Sequence, residues 1–229
     1  MLFNQDLLFL HVPKTGGMAV TNELLAILPK PIYYALPEGS KDKFHNPPQI
    51  IATPGKRHGN LRQAQEWISQ YGKTLASFKK IVATVRNPYE MEVSRYFYLR
   101  LGHAWDKGQA QTIALENDFE TFALKSPYFG RKYSHVESYF VINGVIPDNL
   151  AVIKNESLHS DLENVLSELN LTMDGPIQKL NGTQHDNYGQ YITPEAEAAI
   201  YNRYQWLFDS GFYQRENFAC LGSRTNSVN

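Results

Sequence analysis

The chain reads as an α/β protein built on a mainly parallel sheet. Three apolar runs, Leu7–Leu10, Ile81–Val85 and Leu150–Lys154, each end in a polar or glycine-bearing loop, and each loop leads into a helical pattern. Strands that alternate with helices in this way belong side by side in one sheet, with the helices as crossovers. The 229 residues suit a single domain spanning 1–229. Hydrophobic residues make up 42% and aromatic residues 13%, including Tyr 14 and Phe 12, enough for a core and for an aromatic-lined cleft.

The first strand ends in Pro13-Lys14-Thr15-Gly16-Gly17. Val20, Leu24, Ile27 and Leu28 then share one helix face from about Met18 until Pro29 and Pro31 stop it. Two glycines, a helix N-terminus, the Lys14 charge and the Thr15 hydroxyl together make a cradle for a phosphate-like anion. The spacing departs from the ordinary nucleotide loop, because the lysine here precedes the glycines. Pro29 to Pro48 is expected as an irregular segment at the edge of the fold. Ile50–Thr53 follows as a short buried strand, and Leu61 to Tyr71 as a helix. Between them lies Lys56-Arg57-His58, at a strand end where α/β sheets place active groups.

Ile81–Val85 runs into Arg86-Asn87-Pro88, with Pro88 suited to the first turn of a helix that carries Ser94 about two turns on. Gly102 to Asn117 is expected as a loop-like insertion, Asp118 as the cap of a short helix through Leu124, and Ser126 to Tyr133 as a basic, aromatic loop. Asn143-Gly144 marks a turn, and Leu150–Lys154 a buried strand. Leu158, Leu162, Val165, Leu166 and Leu169 define an amphipathic helix. A polar stretch from Leu180 to Tyr191 contains Asn181, Thr183 and His185. Thr193-Pro194-Glu195 then opens a last helix, with Ala196, Ile200, Leu207 and Phe208 on its buried face and Gly211 at its end.

Charge gives no global field: 22 basic and 23 acidic residues leave a formal net charge of −1, so no nucleic-acid partner is expected and any basic site must be local. The single Cys220 excludes an intrachain disulfide and a cysteine zinc site. The apolar run at Leu7–Leu10 is too short for a signal core or a membrane span, so a cytoplasmic protein with no membrane partner is expected. No acidic cluster is set aside for a metal, and none is expected.

His11-Val-Pro-Lys-Thr-Gly-Gly17 resembles the 5′-phosphosulfate loop of sulfotransferases that use 3′-phosphoadenosine 5′-phosphosulfate (PAPS), most closely the carbohydrate O-sulfotransferase branch. Val85-Arg-Asn-Pro-Tyr89 with Val93, Ser94 and Tyr96 resembles that family's 3′-phosphate motif. Met18 and Met91 stand where the family commonly has a hydroxyl residue and an arginine, and Arg95 is a candidate substitute for the second. The resemblance implies a P-loop-like three-layer α/β/α fold. It further implies transfer of a sulfuryl group from PAPS, leaving 3′-phosphoadenosine 5′-phosphate (PAP), to a hydroxyl acceptor that is expected to be a saccharide. Lys14 would bind the bridging oxygen, Thr15, Gly16 and Gly17 the 5′ end, and Arg86 and Ser94 the 3′-phosphate. Asn181 and Thr183 are weaker cofactor-binding candidates. His58 would take the acceptor proton, with His185 as the fallback; an imidazole with an unperturbed pKa of about 6.5 suits that task. Acceptor specificity would come from Pro29–Pro48, Gly102–Asn117 and Ser126–Tyr133. Two other readings stand beside this one: a nucleotide kinase or other phosphoryl transferase with a degenerate loop, and a non-catalytic nucleotide- or glycan-binding module.

Overall fold

The computed structural model describes residues 1–37, 49–101, 108–127, 136–177 and 187–218. They form two compact units, Met1–Arg86 with Ser138–Leu180, and Asn87–Glu137 with Asn181–Asn229.

The first unit holds a six-stranded sheet made of β1 (Leu2–Phe3), β2 (Leu7–Leu10), β3 (Ile32–Leu36), β4 (Ile50–Pro54), β5 (Lys80–Val85) and β6 (Leu150–Lys154), in the order β4-β3-β1-β2-β5-β6. β2, β5 and β6 pair in parallel, as do β3 and β4; only β1 is antiparallel to its neighbours β2 and β3. The sheet is therefore mainly parallel, as the alternating pattern predicts. Side chains alternate across it. Leu2, Leu7, Phe9, Val82 and Ile153 pack on α1 (Gly17–Ile27) and α6 (Leu158–Ser167) through Val20, Leu24, Leu162 and Leu166. On the other face Phe3 stacks on Tyr33 at 4.7 Å and meets Trp67 of α2 (Leu61–Ser69) edge-on at 5.0 Å. Helices thus cover both faces.

Several local signals set these elements. Asn60 and Gln63 form a reciprocal capping box at the start of α2, at 3.0 and 3.2 Å. β3 is a strand where an irregular segment is expected, because Ile32-Tyr-Tyr-Ala-Leu36 gains a parallel partner in β4 and an antiparallel one in β1. β1 has no pattern of its own to reveal it, being two residues held by neighbours on both sides. β4 and β6, expected as buried strands, are the two edges of the sheet; β4 stays largely accessible, and β6 is half-buried apart from its buried Ile153.

The second unit is helical: α3 (Pro88–Arg100), α4 (Gln109–Glu116), α5 (Phe119–Lys125) and α7 (Pro194–Asp209). Asn87 caps α3 by accepting from Tyr89 and Glu90 N–H, and Asp118 and Thr193 cap α5 and α7 in the same way. α4 occupies part of the expected loop, burying Ala110, Gln111 and Ala114, which are too few and too small to announce a helix. On α7 the buried set is Ala196, Glu197, Ile200, Tyr204 and Leu207, with Phe208 only half-buried. The two polar members, Glu197 and Tyr204, are inside because they have partners there. Glu197 accepts from Tyr89 Oη at 2.7 Å and from Arg215 at 2.8 and 2.7 Å.

Tyr204 donates to the carboxylate of Glu92, the most deeply buried acid of α3. Arg95 at 3.2 Å and Arg203 at 3.1 Å complete its shell. Burial pushes the Glu92 carboxyl up, but the two arginines and the tyrosine outweigh it and hold the group below its ordinary range. Arg203 also donates to the carbonyls of Ala123 and Ser126, so one carboxylate ties α3, the end of α5 and α7 together. Glu92→Ala leaves two arginines without their counter-charge and should cost about 3–5 kcal/mol of stability in urea unfolding. A loss under about 1 kcal/mol would show that apolar contacts alone order the unit.

Candidate functional site

β2 and β5 are neighbours, yet the chain leaves β2 through α1 toward β3 on one side and leaves β5 toward β6 on the other. This is the switch point of the sheet, and ligands of open α/β sheets lie beyond the strand carboxyl ends there. The residues at those ends are His11 to Gly17 after β2, Arg86 after β5 and Asn155 after β6. The end of β4 leads to Lys56, Arg57 and His58.

The loop after β2 is held by its own side chains. Thr15 Oγ1 donates to Val12 O at 2.8 Å and meets Thr84 Oγ1 of β5, both hydroxyls being buried. The Thr15 hydroxyl is therefore turned into the protein body, and what this residue offers a ligand is its backbone N–H. Lys14 (φ 64°) and Gly16 (φ 84°) both have left-handed backbone. That conformation is uncommon for lysine and is the sort of local strain found at ligand sites. It curls the chain around the N-terminus of α1, whose N-cap, Gly16, makes no side-chain capping bond. The first-turn N–H groups and the positive end of the helix dipole thus have no side-chain cap, the arrangement in which a helix start can take an anion.

Both glycines are sterically required. A Cβ on Gly17 would lie 2.3 Å from Cδ2 of the buried His11 ring, and one on Gly16 would lie 2.4 Å from Asn155 Nδ2. Nothing in the sequence pattern marks His11 or Asn155 for this task. Asn155 reads there as a turn residue, and its meaning comes from the parallel register that brings the end of β6 beside β5 (Val85 opposite Lys154).

Two cations converge on the loop. Arg86 Nη1 donates to Lys14 O at 3.3 Å. Burial, and after it the Arg86 charge, brings the Lys14 ammonium down to about 8. Positive charge here is poorly solvated and gains from an incoming anion.

His58 joins the same loop from the other side. Its Nδ1 lies 3.0 Å from His11 O, and a carbonyl can only accept, so Nδ1 carries the proton and Nε2 holds the lone pair. Tyr139 Oη donates to His58 O at 3.1 Å, and the His11 and His58 rings meet edge to face at 4.5 Å. Burial is the main reason that the His58 pKa falls to about 4; the bond to His11 opposes it, and the charges of the amino terminus and of Arg57 add to it. The imidazole is neutral at pH 7, in the tautomer that a base needs.

Lys14, Thr15, Gly16, Gly17, Arg86 and His58 therefore all lie in the first unit at the carboxyl side of its sheet. Ser94 is buried in α3 of the second unit. Arg95, the candidate substitute charge, is committed to Glu92, Ser126 Oγ and Pro127 O. Asn181, Thr183 and His185 lie outside the described residues. Among the described residues no three His, Cys, Asp or Glu side chains are grouped to hold a metal, and no helix is long and apolar enough to cross a membrane.

The structure is that of an α/β protein with a glycine-bearing loop, an uncapped helix start and two cationic side chains at the switch point of its sheet. Among solved structures, mouse sulfotransferase SULT7A1 complexed with PAP is similar at a TM-score of 0.47 and 17% sequence identity, over 96% of this chain and 89% of that one. No family model and no curated protein matches the chain.

Both site histidines are held neutral: burial lowers His11 well below its usual value, with His58 adding to the effect, and His58 itself falls to about 4. Unfolding restores both to about 6.5, so the unfolded chain binds more protons between those values. The stability they confer is complete above about pH 6.5 and lost as pH falls toward 4. Urea midpoints at pH 7, 6 and 5 should fall on acidification, and His58→Gln should reduce the slope by about one proton. A midpoint unchanged from pH 7 to 5 would contradict the assignment.

Proposed function

We propose that this protein is a PAPS-dependent sulfotransferase acting on a hydroxyl acceptor, a saccharide by the resemblance of its motifs. The observation that carries the reading is one arrangement: a neutral His58, its Nε2 unprotonated, bound to the carbonyl of the same loop whose Lys14 and Gly16 form the anion cradle. The residues present fit a donor with an anionic 5′ end, since Lys14, Arg86 and the uncapped start of α1 all offer positive charge or N–H donors.

In this reading Lys14 and the N–H groups from Thr15 to Gly17 hold the 5′ phosphosulfate. Arg86 and Ser94 keep the 3′-phosphate role that their motif implies. His58 Nε2 accepts the acceptor's hydroxyl proton as the oxygen attacks sulfur. Lys14 stabilises the negative charge that gathers on the departing phosphate. Alignment and charge stabilisation supply most of the rate, as in phosphoryl transfer. Anions beside His58 counter the effect of Arg57 and raise its proton affinity when the donor is present, which makes it a better base when one is needed.

Calorimetric titration with PAP and with ADP, without added metal, tests the donor. PAP should bind in the micromolar range and ADP far more weakly. Arg86→Ala should weaken PAP binding about ten- to a hundredfold, the loss expected for charge-assisted hydrogen bonds. Binding favours the charged Lys14, so affinity should hold up to about pH 8 and then decline by as much as tenfold per pH unit. A preference for magnesium-bound ATP would replace this reading with a phosphoryl transferase. His58→Ala should retain PAP affinity and lose about 10²- to 10⁴-fold in turnover. Near-normal turnover in that variant would remove His58 from the mechanism.

A further inference from the structure

Arg57 enters the chemistry above only through its charge on His58, yet its position is unusual for an arginine. It is half-buried between Lys56 and His58, just past the end of β4, and its Nε is buried with no hydrogen-bond partner. Among the described residues no carboxylate pairs with its guanidinium; its side-chain neighbour is the Tyr34 ring, 6.0 Å away. The other titratable groups that feel its charge are the Met1 amino group, which also donates to Arg57 O, and His11 and His58; burial lowers the proton affinity of all three, and none of them supplies a negative charge. A partly desolvated cation is costly unless it meets an anion, and a guanidinium meets carboxylates in bidentate fashion.

Two anions could arrive here, the sulfonate of the donor or a charged group on the acceptor. Position favours the second. The arginine acting on Lys14 is Arg86, at the end of β5, whereas Arg57 comes from β4 and adjoins the base, the group that must touch the acceptor hydroxyl. We infer that Arg57 is the specificity-determining residue for an acidic acceptor: it binds a carboxylate on the saccharide and so sets the neighbouring hydroxyl against His58. The word acceptor rests on the sulfotransferase reading; the anion site itself does not.

The test separates binding from turnover. A uronic-acid-bearing oligosaccharide and the same oligosaccharide with its carboxylates reduced to alcohols are titrated into the full chain saturated with PAP. The acidic form should bind at least about tenfold more tightly, and in Arg57→Gln the ratio of the two affinities should fall to near one. Arg57→Lys, which keeps the charge without the fork, should recover part of the ratio. Affinities for PAP and PAPS are measured in the same variants, with circular dichroism and urea midpoints to establish folding. Equal binding of the two oligosaccharides by the wild-type chain overturns the inference. So does an Arg57→Gln variant that keeps the preference, or one that loses affinity for PAPS but not for PAP, which would give Arg57 to the donor sulfonate. Transfer of labelled sulfate from PAPS to the acidic oligosaccharide is scored separately. Charge-dependent binding with no transfer would refute the sulfotransferase reading and leave Arg57 as an acidic-saccharide site.

Discussion

The position of the His11 ring is the constraint on which the first unit's site depends. The ring fills the space where Gly17 would carry a Cβ, and its Nδ1 lies 3.4 Å from Thr21 Oγ1. Thr21 gives its own proton to Gly17 O at 2.7 Å, so its oxygen is left to accept from the imidazole. Helix start, loop and imidazole are thus locked to one another within a single turn of α1. The same residue's carbonyl orients His58. A buried histidine with three such duties cannot be moved without moving the start of α1 and the His58 ring together.

The part of the fold legible in the sequence is the part dominated by local physics. β2, β5, α1, α2, α6 and α7 follow from apolar periodicity and, for α7, from the Thr193 cap with Pro194 behind it, satisfied within a few residues. What escapes sequence reading depends on distant partners. β1 and β3 exist because each lies between or beside strands far along the chain, and Glu92 and Tyr204 are inside because they have each other. The candidate site divides in the same way. Lys14, Gly16, Gly17 and Arg86 are announced by short motifs, and His58 by its place after a strand. Asn155, Thr84 and the ring of His11 become visible only when the parallel register lays β2, β5 and β6 side by side.

The two units handle charge in opposite ways. Glu92 is buried with its counter-charges arranged around it, which costs desolvation but leaves a closed and self-sufficient cluster. At the carboxyl end of the sheet, Lys14 and Arg86 are brought together and Arg57 stands beside two neutral imidazoles. The first arrangement is one of stability; the second keeps cationic groups in poorly solvated places, which the proposed anionic ligand would relieve.

In the proposed reaction the low proton affinity of His58 would also bear on how the cycle closes. A base that has taken a proton must lose it before it can act again, and a strongly basic group would hold that proton. His58 would be more basic only while negative charge lies next to it. With the anionic product gone, its pKa would return to about 4 and the proton would pass to water. Product release and regeneration of the base would then be a single event, driven by the same burial that keeps the imidazole neutral.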